Sequence, residues 1–305
     1  MTHSITGALL SRALPGGDMG PMMAAGIIGA LAPDLDVFAR LWDPMAAITV
    51  HRTATHSFLG GVVIAAVVAG LVWGLRRESF FRLFGFAYLG LLSHIGSDLL
   101  TSFGTAILWP LSDRRFAFAQ HYLIDPIFTA FALGFLVAGF RVKRRRIFLA
   151  NTGLLAIGLY LLVTAGIQRA AFSRWQGFIE LQGILPIRSA VIPLFPGPFR
   201  WLGVSETEKG FYQQSFQLYG SQGDTLRFFS KTNADFRDLE RLREVRAFLS
   251  FARFPWKREL YDRGLRLVEY RELAFADHPA GGPLALRIWL DESGAVGKME
   301  LGHRF

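Results

Sequence analysis

The sequence contains no cysteine and few charged residues for its length. Without cysteine it can form neither a disulfide bond nor a thiolate metal site. Charged residues make up 19% of the 305 residues, while 51% are hydrophobic. This composition excludes a disordered chain, and a net charge of +9 on so apolar a background argues against a nucleic-acid-binding protein.

The few charges are distributed unevenly along the chain. The first 170 residues carry 22 charged side chains, whereas the remaining 135 residues carry 35. An apolar front half is therefore joined to a back half with the composition of a soluble domain. We predict a membrane-embedded domain over residues 1–168 and an extramembrane domain of small α+β type over residues 169–305.

Long uncharged runs predict transmembrane helices in the first domain. Residues 57–75 form 19 positions without a charge, which at about 1.5 Å per residue span roughly 28 Å, close to the thickness of a bilayer core. Residues 147–167 form a second uncharged run of this length. Residues 123–140 contain one charge, Asp125, and residues 83–100 are apolar apart from His94 and Asp98. The predicted fold is an α-helical polytopic membrane domain with about four transmembrane helices.

The amino terminus differs from these spans, because its apolar residues form two shorter runs. Residues 5–14 and 21–32 are separated by the Pro-Gly-Gly-Asp sequence at 15–18. Each run is too short to cross a bilayer alone, so we predict a re-entrant helical hairpin covered by protein or by a cavity. A cleaved signal peptide is not expected, since a basic n-region is missing.

Two basic clusters predict the orientation of the chain. One contains Arg76, Arg77 and Arg82, and the other contains five basic residues between positions 141 and 146. The clusters are two predicted spans apart, so they face the same side, which the positive-inside rule makes cytoplasmic. The carboxy-terminal domain is then expected on the non-cytoplasmic side.

Histidine and aspartate residues in the first 100 positions predict a metal site. Ionisable groups within or beside a membrane span cost several kcal/mol unless they are paired or bind a metal. In the predicted topology they meet on the non-cytoplasmic side. The candidate metal ligands are His3, Asp34, Asp36, His51, His56, His94 and Asp98.

The spacing of these residues supports a shared site. His94 and Asp98 are four positions apart, so both side chains leave one face of a helix. Asp34 and Asp36 follow a proline, and in an extended turn residues two apart point the same way. For a single histidine such as His51 the alternative is an interfacial or packing role.

Imidazoles and carboxylates without thiolates suit a divalent metal ion. Zinc is the first expectation, manganese and iron are alternatives, and seven candidate ligands suffice for one or two ions. His121 and Asp125 are candidates for orienting ligand histidines, with helix capping as the alternative for His121. Arg52 lies between the candidate ligands His51 and His56 in the sequence, so its guanidinium is placed to stabilise negative charge that develops on a substrate. Its alternative role is a contact with lipid headgroups. Asp98 and Arg52 are therefore the predicted catalytic residues.

Five motifs in the first 116 residues occur in a characteristic order: Thr2-His3 and residues 29–36, 51–57, 94–104 and 109–116. They resemble the YdjM-like family of inner-membrane-associated metal-dependent hydrolases. Their order is also similar, more weakly, to the zinc-dependent phospholipase C group. The resemblance implies a polytopic metallohydrolase of the inner (plasma) membrane, with a metal-activated water attacking a phosphoester or related bond.

The expected position of the site at the outer lipid–water boundary favours a membrane lipid or another amphiphilic phosphoester as the substrate. Two other functions remain open at this point. One is a membrane protein with a structural metal site and an interaction or regulatory role. The other is an ion or proton transporter, in which ionisable residues are expected at the middle of the membrane. Transporters are also often built from internal repeats, and we find no repeat here.

The carboxy-terminal domain shows local structure but no catalytic motif. Alternating apolar residues over 284–290 and 296–301 flank a turn and predict a β-hairpin. Further strands are predicted over 210–219 and 264–274, and an amphipathic helix over 233–251. The proline-rich residues 193–201 are predicted to form a linker.

Overall fold

The computed structural model divides the chain into two compact units. The first contains the residues up to Leu41 together with Val50–Gly166, and the second contains Trp42–Thr49 together with Ile167–Phe305. Residues 42–49, which the sequence prediction assigned to the first domain, therefore pack with the second unit. The structure describes residues 2–16, 20–220, 223–232, 234–275 and 284–303.

Helices account for the first unit. Short 3₁₀ helices cover Ala32–Leu41, Ala54–His56 and Lys143–Arg145. Helix α3 belongs to the second unit, and the last part of α7 does so too. In chain order the α-helices up to residue 181 are α1 (Thr2–Ala13), α2 (Gly20–Leu31), α3 (Ala46–Thr49), α4 (Phe58–Arg76), α5 (Phe80–Leu99), α6 (Pro126–Arg141) and α7 (Arg146–Leu181).

Three helical stretches among the described residues are long and apolar enough to cross a membrane. They are Gly20–Leu41, Phe58–Arg76 and Lys143–Leu181. The last two correspond to the predicted spans at 57–75 and 147–167. The predicted spans at 83–100 and 123–140 are found as α5 and α6, but α6 is a shorter apolar helix of 16 residues and α5 is not among the three. The predicted count of four spans is therefore not confirmed.

The two apolar runs at the amino terminus form α1 and α2, which pack against each other and against α5. Helix α2 continues directly into the 3₁₀ helix Ala32–Leu41, so the second run is part of a stretch of 22 residues. Residues 17–19, in the predicted turn of the hairpin, lie outside the described residues. The re-entrant hairpin is not confirmed by these observations.

Helices α2 and α5 approach each other backbone to backbone. A Cβ atom added at Gly90 would lie 2.0 Å from the carbonyl oxygen of Gly26, and one added at Gly29 would lie 2.1 Å from that of Ala87. Small residues permit such close packing between apolar helices. The end of α2 is thereby held against the half of α5 that carries His94.

The second unit contains two four-stranded antiparallel sheets within its described residues, with strand orders β1-β2-β3-β4 and β5-β6-β7-β8. It is thus richer in β-structure than the predicted α+β domain. Besides α3 and the last part of α7, its described α-helices are α8 (Arg237–Glu240) and α9 (Arg243–Phe251). The strands are β1 (Arg188–Pro193), β2 (Arg200–Glu206), β3 (Gly210–Gln217), β4 (Arg227–Ser230), β5 (Pro255–Asp262), β6 (Leu265–Glu272), β7 (Leu284–Leu290) and β8 (Val296–His303).

Most local predictions for this unit agree with the structure. The predicted hairpin is formed by β7 and β8, and the other predicted strands are β3 and β6. The predicted helix is found as α8 and α9, while residue 233 lies outside the described residues. The linker prediction is wrong, because Pro193 ends β1 and pairs with Trp201 of β2, and Pro196 and Pro198 lie in the turn between these two paired strands.

Alternating side chains give the second sheet one apolar and one charged face. Val268 and Tyr270 of β6 join the apolar core, in which Phe248 of α9 is also buried. Glu269, between them in sequence, points to the other face because side chains alternate along a strand. Its carboxylate accepts hydrogen bonds from three guanidinium groups, those of Arg258, Arg271 and Arg287.

The close α2–α5 contact leads to a matched pair of substitutions on α5. Gly90→Ala forces the two backbones apart, and we expect it to lower stability by about 1–3 kcal/mol, the usual effect of overpacking. Gly85 has open space around its Cβ position, so Gly85→Ala is expected to leave stability unchanged or raise it by up to about 1 kcal/mol. Thermal unfolding in detergent measures both effects. Equal melting temperatures for the two variants would contradict this packing argument.

Candidate metal centre

Four segments of the first unit bring the predicted ligands together. The carboxy-terminal end of α5 carries His94 and Asp98, and α1 carries His3. Asp34 and Asp36 lie on the 3₁₀ helix that follows Pro33, rather than on the extended turn expected from the sequence. The remaining pair, His51 and His56, precedes α4, whose first turn is capped by the Ser57 side chain.

Four of the seven candidates form the centre of the cluster. The Nε2 atom of His56 lies 3.6 Å from Asp34 Oδ1 and 3.5 Å from Asp98 Oδ2. The Nε2 atom of His94 lies 3.5 Å and 3.6 Å from the same two oxygens. Each imidazole thus faces both carboxylates at nearly equal distances. In a tetrahedral zinc site with bonds of 2.0–2.1 Å, neighbouring ligand atoms are about 3.4 Å apart.

The hydrogen bonds of His94 define which of its ring nitrogens carries a proton. Its Nδ1 atom lies 2.7 Å from the carbonyl oxygen of Ala30. A carbonyl oxygen only accepts hydrogen bonds, so Nδ1 is the protonated nitrogen and Nε2 of a neutral ring presents its lone pair. That lone pair faces the carboxylates of Asp34 and Asp98, an arrangement that is repulsive unless a cation lies between them.

A second set of hydrogen bonds gives His56 the same tautomer. The Thr55 hydroxyl donates to Asp36 Oδ2, and its oxygen lies 2.9 Å from Nδ1 of His56. Since the hydroxyl proton is directed to Asp36, the oxygen of Thr55 accepts the Nδ1 proton of His56. In the neutral ring of His56, Nε2 then also presents a lone pair to the centre of the cluster.

The central atoms have no conventional partner in the part of the chain that the structure describes. His56 Nε2, His94 Nε2 and Asp98 Oδ2 are buried and make no hydrogen bond there. Buried polar atoms without partners are rare, because each one loses its hydration without compensation. Their convergence on one point is the pattern expected of a cation site formed by two imidazoles and two carboxylates.

The other three candidates surround this centre. Nδ1 of His51 lies 2.6 Å from Asp36 Oδ1, so both oxygens of Asp36 are engaged by His51 and Thr55. The His3 ring stacks on His94 with centroids 3.9 Å apart. Two groups also have potential ligand atoms within 4.8 Å of one another, which suits either one ion or two: His3 with His94 and Asp98, and Asp34 with His51 and His56.

Arg52 is buried beside the cluster, with 6% of its surface exposed. Its guanidinium donates to Asp98 Oδ1 at 3.0 Å and to the Thr101 hydroxyl at 2.6 Å. One oxygen of Asp98 is thus held by Arg52, and the other faces the two histidines. Arg52 has a φ of 61°, a left-handed conformation that is uncommon for residues other than glycine. This buried position favours a role in the site over a contact with lipid headgroups.

Arg115 is a neighbour of the cluster that was not among the predicted site residues. It enters the sequence analysis only as part of a resembling motif. Its guanidinium donates to the carbonyl oxygen of His51 at 3.4 Å. Burial lowers the pKa of Arg115 to about 10, and the nearby charge of Arg52 acts in the same direction. Thr55 and Thr101 also contact the site, and like Arg115 they enter the sequence analysis only within the resembling motifs.

The predicted role of His121 and Asp125 in orienting ligand histidines is not what the structure shows. Nδ1 of His121 lies 2.7 Å from Asp125 Oδ2, and its Nε2 lies 3.1 Å from the Thr164 hydroxyl. Both ring nitrogens are therefore engaged away from the cluster. The orienting contacts come instead from the carbonyl of Ala30 and the hydroxyl of Thr55.

The cluster is open on one side. The side chain of Asp34 is 43% exposed, whereas those of His56, His94 and Asp98 are buried. Because Asp34 is exposed at the edge of the otherwise buried cluster, small molecules can reach the centre. Such an open position distinguishes catalytic metal sites from closed structural ones.

Comparison with known proteins identifies the family of the chain. The chain is 35% identical over 100 residues to inner membrane protein YbcI of Escherichia coli (strain K12), and the match covers 31% of this chain and 57% of that protein. The chain therefore spans little more than half the length of this relative. No solved structure matches the chain at a significant level. The family model for the YdjM inner membrane protein matches residues 1–171, more than half of the chain. The chain therefore belongs to the YdjM inner membrane protein family.

Proposed function

We propose that this inner membrane protein is a metal-dependent hydrolase that cleaves a phosphoester or related bond of an amphiphilic substrate. The observation that carries the proposal is the convergence of the Nε2 atoms of His56 and His94 and the carboxylates of Asp34 and Asp98 on one point. Imidazole and carboxylate ligands suit zinc first, with manganese or iron as alternatives. The imidazole nitrogens and carboxylate oxygens of the cluster are ligand atoms that such an ion accepts.

The residues that would hold the ion are Asp34, His56, His94 and Asp98, with His3 and His51 available for a second one. A divalent cation held there lowers the pKa of water and so supplies a nucleophile at neutral pH. Asp36, through Thr55, keeps the Nδ1 proton of His56 in place. These hydrogen bonds orient the ligand nitrogens before any ion binds, which is the usual function of groups behind metal ligands.

Arg52 has two functions in this proposal. It neutralises one oxygen of Asp98, which lowers the cost of burying the cluster's negative charge. Its guanidinium, which contacts Asp98, would also stabilise negative charge developing on the substrate. The exposure of Asp34 favours this catalytic interpretation over a structural metal with an interaction or regulatory role. The clustering of the ionisable residues at one end of α5 favours it over an ion or proton transporter.

We also propose the membrane arrangement that the sequence indicates, with α4 to α7 as four spans and α1 and α2 as a re-entrant hairpin. On α5, Arg82 and Asp98 are 16 positions apart, or about 24 Å along the axis. The basic loops and the cluster therefore lie towards opposite ends of this helix. With the basic loops cytoplasmic, the site and the carboxy-terminal domain face outward.

Topology reporters check this arrangement. A reporter inserted at residue 144 should be cytoplasmic, because that loop carries the basic residues 141–146. A reporter at residue 305 should be on the other side of the inner membrane, because one span separates the two positions. Finding both reporters on the same side would remove the proposed orientation.

Metal analysis of the purified protein tests the donor set. We expect at least one zinc, manganese or iron ion per chain by mass spectrometry of the elements. The double variant His94→Ala/Asp98→Ala should lose at least about 90% of it, since removing coordinating groups lowers metal affinity by well over 10-fold. The matched control His121→Gln should retain the ion. A double variant with undiminished metal content would exclude the centre described here.

Hydrolysis assays test the catalytic part of the proposal. Against a panel of lipid phosphoesters, Asp98→Asn should lower kcat/KM by about 100-fold or more while the protein still inserts into the membrane. Arg52→Ala should mainly weaken substrate binding or charge stabilisation, and the exposed Asp113→Asn should behave as wild type. Full activity in Asp98→Asn would contradict its assignment. If metal-loaded wild type hydrolyses no phosphoester, amide or ester, the structural-metal alternative replaces the hydrolase.

A further inference from the structure

A cavity of about 190 Å³ lies directly beside the cluster. Two cluster residues, His3 and Asp98, belong to its lining. A water molecule's share of liquid volume is about 30 Å³, so the cavity has room for roughly six groups of that size. It is therefore large enough for a short segment of a hydrocarbon chain.

Several cavity residues are apolar and come from the loop before α6 and from its first turn. They are Leu123, Ile124 and Phe128, joined by Leu100 at the end of α5. Leu123 and Ile124 are also exposed on the surface, the latter at 60%. Exposed Ile127 and Phe131 continue this apolar surface along one face of α6. The exposed apolar face of α6 is thus continuous with the apolar part of the cavity lining.

Two polar residues of the lining, His121 and Asp125, are engaged with each other and with their neighbours. Asp125 accepts hydrogen bonds from the backbone of Ile127 and Phe128, where it caps α6, and from the Tyr160 hydroxyl. Nδ1 of His121 lies 2.7 Å from Asp125 Oδ2. The part of the cavity next to these residues therefore suits an uncharged chain.

We propose that this cavity binds the first segment of a single hydrocarbon chain of the substrate, next to the phosphate group at the cluster. The proposal rests on the proposed hydrolase function and narrows its substrate class. It assigns a substrate whose cleaved phosphoester lies within a few carbon atoms of an alkyl or isoprenoid chain. Water-soluble phosphoesters would leave the cavity empty and be poor substrates.

The lack of cysteine in the chain provides a direct binding assay. In metal-loaded protein in lipid nanodiscs, Ile124→Cys introduces one thiol at the cavity, and Leu111→Cys introduces one at an exposed apolar position outside it. The measured quantity is the rate at which a maleimide labels each thiol, first without ligand and then in the presence of dodecyl phosphate or of inorganic phosphate. At ten times its dissociation constant, dodecyl phosphate should slow labelling of Ile124→Cys about 10-fold, because the site is then free about a tenth of the time.

The controls separate this proposal from its alternatives. Labelling of Leu111→Cys should not change, and inorganic phosphate should protect neither thiol. Equal protection of both thiols would mean general partitioning into the membrane, and protection by inorganic phosphate would mean that only the headgroup binds. Either result, or no protection, would overturn the chain-binding cavity.

The same experiment distinguishes the cavity from the hydrolase. Protection by dodecyl phosphate without hydrolysis of any substrate would support the cavity and remove the proposed reaction. Hydrolysis of chainless 4-nitrophenyl phosphate at the same rate as an alkyl phosphoester, without protection, would support the reaction and remove the cavity. Metal content measured on Ile124→Cys confirms that the cluster is intact in the labelled protein.

Discussion

The close approach of α2 and α5 is the constraint on which the candidate site depends. Only a hydrogen atom fits at Gly90 beside the Gly26 carbonyl, so the two backbones can pack at a distance that larger residues forbid. This contact brings the carbonyl of Ala30 within hydrogen-bonding distance of His94. That bond determines the tautomer of His94, and the tautomer directs a lone pair at two carboxylates. A packing detail between two apolar helices thus determines the electrostatics of the cluster.

The cluster itself is an arrangement that folding alone would not favour. Burying two imidazole lone pairs against two carboxylates costs free energy, because like-signed electron density is brought together away from water. Arg52 compensates for one oxygen of Asp98, and Thr55 with Asp36 compensates for the distal side of His56. The centre remains uncompensated within the described residues. A few buried polar atoms without partners, surrounded by groups whose hydrogen bonds are all formed, are typical of preorganised ligand-binding sites.

The second unit is stabilised in a different way from the helical unit. Its apolar side chains lie between sheets and helices, as where Trp175 packs over Gly203 and donates to the Ser205 hydroxyl. A Cβ atom at Gly203 would lie 2.2 Å from the Trp175 ring, so this strand position accommodates only glycine. Glu269 is buried, yet its pKa is lowered, since burial alone would raise it and three arginines more than offset that effect. The second unit is thus stabilised by packed apolar side chains and by buried ion pairs.

The amino-acid sequence by itself determined the division into an apolar and a polar half, two of the long apolar helices, several β-strands, and the seven residues of the cluster. These follow from local properties: charge density, uncharged run length, alternation, and the i,i+4 spacing of His94 and Asp98. Only the tertiary structure separated Asp34, His56, His94 and Asp98 at the centre from the three residues around them. It also moved residues 42–49 into the second unit, replaced the expected linker by a strand turn, and showed that His121 is engaged elsewhere. The reason is physical: which ring nitrogen carries a proton, and which oxygen is already bonded, depends on partners such as Ala30 that are distant in sequence and become neighbours only through packing.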